Sequence, residues 1–153
     1  MTDILIVLQL LISIVLASQG IFYILGLAQA VKKISIQAFA EQRNAIDDSI
    51  AIKLKFLYYS ALVVGIVVLI LIRNEYSSLR FLCIALSTFF TLIDILLALR
   101  FNIPINNAFR SYPKAHVDWN GLRATWVKFL IIRGLFSIAA MIMLLFAGSL
   151  MGL

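Results

Sequence analysis

The chain has 153 residues, 63% of them hydrophobic and 13% charged, with a formal net charge of +6. Soluble domains run about 45–50% apolar and about 25% charged, so an ordinary soluble protein is excluded, and the abundance of Leu, Ile and Phe excludes intrinsic disorder. The basic excess does not imply a nucleic-acid partner, because it concentrates in two connecting segments, as cytoplasmic loops of membrane proteins require.

Four long apolar runs are expected to cross a bilayer as helices, over about 4–31, 54–73, 79–100 and 123–150. Each supplies the roughly 20 residues that a hydrocarbon core about 30 Å thick demands. A cleavable signal peptide is the competing reading of the first run. It fits poorly, since a basic leading segment is missing, the run is too long, and Lys32 and Lys33 follow at once. Four such runs cannot close a barrel, so each backbone must satisfy its polar groups within its own helix. The expected fold is therefore all-α: one four-helix transmembrane domain over residues 1–153, with up-down topology.

The connections differ in kind. Between the first two runs, Ser35 is placed to cap a short helix with Ile36, Phe39 and Ile46 on one side, suited to the membrane interface. Asp47 and Asp48 would then favour the start of the second span. Residues 73–78 form a short polar turn. Beyond the third run, Pro104 is expected to stop the helix, with neighbouring Asn side chains turning to bond freed carbonyls. The long connections and their flanks carry Lys32, Lys33, Arg43, Lys53, Lys55, Arg100, Arg110, Lys114, Arg123 and Lys128, against only Arg73 and Arg80 at the middle turn. That asymmetry puts the long connections in the cytoplasm and both termini on the opposite side of a plasma (inner) membrane.

Two charges fall inside the predicted spans, Asp94 on the third and Arg133 on the fourth. Asp94 precedes Arg100 by six residues and Arg133 follows Trp126 by seven, so both lie roughly 9–10 Å along their helices from the same end. Unpaired charge is costly in lipid, and an ion pair is the economical arrangement. Such a pair serves either a site or only helix register. Ser87 and Thr91 share a helix face with Asp94; Trp126, Arg133 and Ser137 line another, and Gln9, Ser13 and Gly20 a third. These stripes suggest an interior that is not wholly dry, although small and hydroxyl residues also serve plain helix packing.

Pro104, Asn106 and Asn107 after the third run, followed by Trp126 and by Arg133 with Gly134 to Ser137, resemble the anthrone-oxygenase-like family of small four-helix membrane proteins. The Pro-x-Asn-Asn string and the spacing of Trp126 and Arg133 carry the resemblance. It implies cofactor-free chemistry in which an activated methylene on an aromatic polyketide becomes a ketone. It also implies site positions at Asn106, Asn107, Trp126 and Arg133: the amides orient a hydrophobic ligand, Trp126 stacks on it, and Arg133 faces an oxyanion. Asp94 holds Arg133 or serves as base. The chain departs from the anthrone-type pattern at Leu130, where a histidine is expected three residues before the arginine. The lone histidine, His116, sits in a polar connection.

Other chemistries find no support. Cys83 is the single cysteine, so neither a disulfide nor paired-cysteine redox chemistry is possible within the chain. Metal-ligating clusters, a histidine pair for haem and a phosphate loop are missing, so neither metal nor cofactor is expected. Besides the lipid bilayer, the expected partner is a hydrophobic small molecule. The alternative is a non-enzymatic accessory subunit contacting other membrane subunits. A solute transporter ranks behind both, because the sequence has neither inverted repeats nor broken apolar runs.

Overall fold

A computed structural model describes residues 2–114 and 116–149. It is all-helical, with four helices long and apolar enough to cross a membrane. The first comprises α1 (Thr2–Phe22), a π-helical turn (Tyr23–Leu27) and α2 (Ala28–Lys33). The second is α3 (Ile36–Leu71), and a 3-10 turn (Arg73–Glu75) leads to the third. That third helix joins α4 (Leu79–Leu97), a second π-helical turn (Ala98–Asn102) and α5 (Ile103–Phe109). The fourth is α6 (Trp119–Ser149); residue 150, where the fourth run was expected to end, lies outside the described residues. The chain is an integral membrane protein of four-helix-bundle architecture.

Two boundaries differ from expectation. Ser35 does cap a helix, its hydroxyl accepting from the amide of Ala38 at 3.1 Å. That helix is not a separate interfacial piece, however, and continues unbroken into the second span. Residues 36–64 contain neither proline nor glycine, so nothing interrupts the hydrogen-bond ladder there. Asp47 and Asp48 consequently lie inside α3 rather than at a helix start. Pro104 likewise does not stop the third helix. It occupies the first turn of α5, immediately after the π-helical turn. Such a turn resets the backbone hydrogen bonds, so the missing proline N–H is absorbed and the Asn side chains are released for other partners.

Around the bundle, α6 packs most extensively on α4 and α1, whereas α3 leans on α1 and α4 and stands diagonally opposite α6. Closest approach falls at Gly20 of α1 and Gly134 of α6: a Cβ on Gly134 would come within 2.6 Å of the Gly20 Cα. Only hydrogen fits there, which is how small residues bring membrane helices together.

Two apolar cores sit at opposite ends. One contains Ile6, Val68, Ile84 and Leu144; the other, at the end bearing the long connections, contains Phe39, Ile105, Phe109 and Trp126. Between Ala40 and Ala61, α3 buries no residue at all. It is anchored at both ends and stands off the other helices between them. Elsewhere the surface is apolar, with Ile4, Leu11, Val63, Phe89, Leu135 and Phe146 exposed, as contact with lipid requires.

Candidate functional site

Where α3 stands off, a cleft of about 540 Å³ opens between it and the first, third and fourth helices, in the half of the bundle nearer the long connections. Both π-helical turns contribute walls, through Tyr23 and Leu27 and through Ala98, Leu99 and Asn102. Most of the lining is aliphatic or aromatic. The polar groups come from Arg43, Asp47, Lys55 and Tyr58 on α3, Asn102, Asn106 and Asn107 on the third helix, and Arg133 on the fourth, with Gln19 on α1.

At the inner end, the Nε–H of Arg133 donates to Asp94 Oδ1 at 2.6 Å, while the Ser137 hydroxyl donates to Asp94 Oδ2. Asp94 is 1% exposed, and both its oxygens are occupied by donors from α6. The terminal nitrogens of Arg133 donate to the Asn102 side-chain oxygen at 3.3 Å and to the Tyr58 hydroxyl at 3.1 Å. A small void of about 10 Å³ behind the pair touches Ser13, Thr91 and Asp94. That is about the volume one water molecule needs.

From this point a chain of hydrogen bonds runs outward. The Asn102 amide donates to the Trp126 carbonyl at 3.1 Å, and the Trp126 indole N–H donates to the Asn106 side-chain oxygen at 2.7 Å. Asn106 in turn donates to Asp47 at 3.1 Å. Asp47 also accepts from Arg43 at 2.7 Å and from Arg110 at 3.3 Å, and Arg110 reaches Asp48 at 2.7 Å. The hydrogen bond that Arg110 donates to Asp48 contributes most to raising the Arg110 pKa above its usual value. Every helix of this half except the first is tied into one polar network.

Trp126 is packed on several sides. Tyr23 and Phe39 meet its ring edge-on at centroid distances of 5.7 and 5.5 Å, and the Arg43 guanidinium lies 5.1 Å from its centroid. Cation–π contact of this kind holds a cation over an aromatic face without an anion.

Asn106, Asn107, Trp126 and Arg133 all line the cleft. Asn107 is exposed at its rim, and its amide makes no hydrogen bond among the described residues. Asp94 does not line the cleft but stands behind Arg133. His116 is exposed in the connection before α6 and takes no part.

No protein-family model, curated protein or solved structure matches this chain. The assignment of function therefore rests on the residues themselves.

Sequence reasoning missed Arg43, Asp47, Tyr58 and Asn102. By sequence Tyr58 reads only as an aromatic near a helix end, where membrane-interface aromatics are common. The four-residue spacing of Arg43 and Asp47, and of Asn102 and Asn106, was the available signal, since such pairs share a helix face. Gln9, Ser13, Gly20, Ser87 and Thr91 do face inward as their spacing suggests, and all are buried. The Gln9 amide and the Ser87 hydroxyl find no partner among the described residues.

Proposed function

We propose that this membrane protein binds a hydrophobic aromatic molecule bearing an oxygen substituent, in keeping with its resemblance to the anthrone-oxygenase-like family. The carrying observation is convergence: Asn106, Asn107, Trp126 and Arg133, which carry that resemblance from two separate stretches of sequence, meet on the walls of one largely apolar cleft. Its volume falls in the range of about 300–1,000 Å³ characteristic of small-molecule sites.

The roles follow from the bonding. Arg133 spends three of its five N–H donors on Asp94, Asn102 and Tyr58, leaving one on each terminal nitrogen for a ligand oxygen. Asp94 keeps the guanidinium in place and charged. Asn107 offers an unengaged amide at the rim, and Trp126 an aromatic wall. The reaction side of the resemblance is weaker. Proton removal from a carbon acid needs a base within reach of the ligand, and Asp94 is held in an ion pair behind Arg133. Binding without efficient oxidation is the function that this arrangement supports. From the basic long connections we infer that the cleft faces the cytoplasmic side of a plasma membrane.

Equilibrium binding of radiolabelled anthrone to the protein in phosphatidylcholine nanodiscs tests the proposal. Saturable binding with about one site per chain is expected, above the linear uptake of protein-free nanodiscs. Uptake equal to that of empty nanodiscs would contradict it and favour the accessory-subunit reading.

A further inference from the structure

We infer that the cleft selects a monoanion: an amphiphile whose carboxylate, phenolate or enolate oxygen sits among Arg43, Lys55 and Arg133 while its apolar body lies against Phe22, Ile50, Leu54 and Ile95. This rests on the binding function proposed above and adds to it the charge of the ligand.

Unmet donors are the first observation. The Arg43 side chain is 90% buried, at 10% exposure, and lines the cleft; its Nε–H has no hydrogen-bond partner among the described residues. Asp47 takes only one of the terminal N–H groups of Arg43, so the guanidinium keeps further terminal donors for a ligand oxygen at the cleft wall. The two remaining N–H groups of Arg133 present further donors on the same walls. Donors of this type select acceptors, and charged acceptors make the shorter and stronger bonds.

Charge balance is the second observation, and it is independent of the first. The cations that line the cleft or bond to its lining are Arg43, Lys55, Arg110 and Arg133; the carboxylates are Asp47, Asp48 and Asp94. Every one of these except Lys55 stands in an ion pair, and Lys55 makes none among the described residues. The walls therefore carry one positive charge in excess. Lys55 is exposed at the cleft wall, where its unpaired charge favours an anionic ligand over a neutral one, so a monoanion completes the balance. A cationic ligand would add to the excess, and a neutral one would leave it.

The apolar walls supply the other half of the specificity. Ile46, Ile50 and Leu54 descend one side of α3 at intervals of four residues, facing Ile95, Leu99 and Ile103 across the cleft. A small hydrophilic anion would leave these side chains uncovered.

The test uses Trp126 as its own reporter. The chain has two tryptophans, so Trp119→Phe leaves Trp126 as the sole indole. This variant, in phosphatidylcholine nanodiscs, is titrated with 6-bromo-2-naphthoate and separately with its neutral methyl ester, whose bromine quenches indole fluorescence on contact. Each curve is corrected for uptake by protein-free nanodiscs. The naphthoate should saturate at concentrations about tenfold below the ester, a difference of about 1.4 kcal/mol. Lys55→Gln should weaken the naphthoate several-fold more than the ester, and Lys55→Arg should restore the difference. Lys55 is exposed, so its variant tests charge without disturbing the fold. Equal affinity for acid and ester, or naphthoate binding indifferent to Lys55→Gln, would overturn the inference while leaving the binding function standing. Failure of both probes to quench saturably would overturn the two together.

Discussion

Arg133 of α6 and Asp94 of α4 form an ion pair at 2.6 Å in the middle of a membrane bundle, with side-chain exposures of 12% and 1%. Neither could be accommodated alone. Removing one partner of a buried pair typically costs about 3–5 kcal/mol, because the other charge is left uncompensated in a medium that solvates it poorly. Asp94→Asn and Arg133→Met should each destabilise by about that amount, and the double variant much less than their sum. Unfolding the four proteins by SDS titration in mixed micelles gives the coupling; additive losses would show that the two side chains are energetically independent.

The helix carrying Arg133 is seated by a glycine contact one residue further on. Because a Gly134 Cβ would approach the Gly20 Cα to 2.6 Å, Gly134→Ala must push α1 and α6 apart. Backbone against backbone cannot be relieved by a rotamer change, so a loss of about 1–3 kcal/mol is expected. Gly148→Ala, where among the described residues nothing lies within 4 Å of the added carbon, should be neutral and serves as the control in the same titration.

Much of this was legible in the sequence, for reasons that can be named. Long apolar runs identify spans because lipid leaves the backbone few alternatives to helix. The Asp94–Arg133 pair was readable because depth along a span follows from counting residues, and charges at matched depth seek each other. The continuity of α3 was less legible. Its polar stretch from Glu41 to Lys55 resembles a connection by composition, yet without proline or glycine it stays helical. The cleft itself was not readable, since the standing-off of α3 between Ala40 and Ala61 depends on what packs at its two ends. For the same reason Tyr58 and Arg43 could be assigned to a helix but not to the cleft.

The asymmetry of basic residues predicts which face of the membrane each connection meets. Gln42→Cys and Ser111→Cys, introduced singly in a Cys83→Ser background, should resist an impermeant thiol reagent applied to intact cells and react after lysis. Labelling of either position in intact cells would reverse the topology.

Catalysis is expected to be poor. Asp94 receives a donor on each oxygen and does not line the cleft, and Leu130 stands where a histidine base would be needed. With anthrone, oxygen uptake by the purified protein should therefore exceed that of protein-free nanodiscs by no more than a few-fold. Rapid uptake that Asp94→Asn abolishes without unfolding the protein would make Asp94 a base and restore the enzyme reading.

If the space under α3 is the binding site, filling it should weaken binding. Ala51 on α3 and Ala98 on the π-helical turn both line the cleft. An Ala51→Phe/Ala98→Phe double variant should fill much of it from two walls while leaving the Asp94–Arg133 pair untouched. Radiolabelled anthrone should bind the wild-type protein saturably and the double variant at least about tenfold more weakly, a loss of about 1.4 kcal/mol or more. Undiminished binding by a folded double variant would place the ligand outside the cleft.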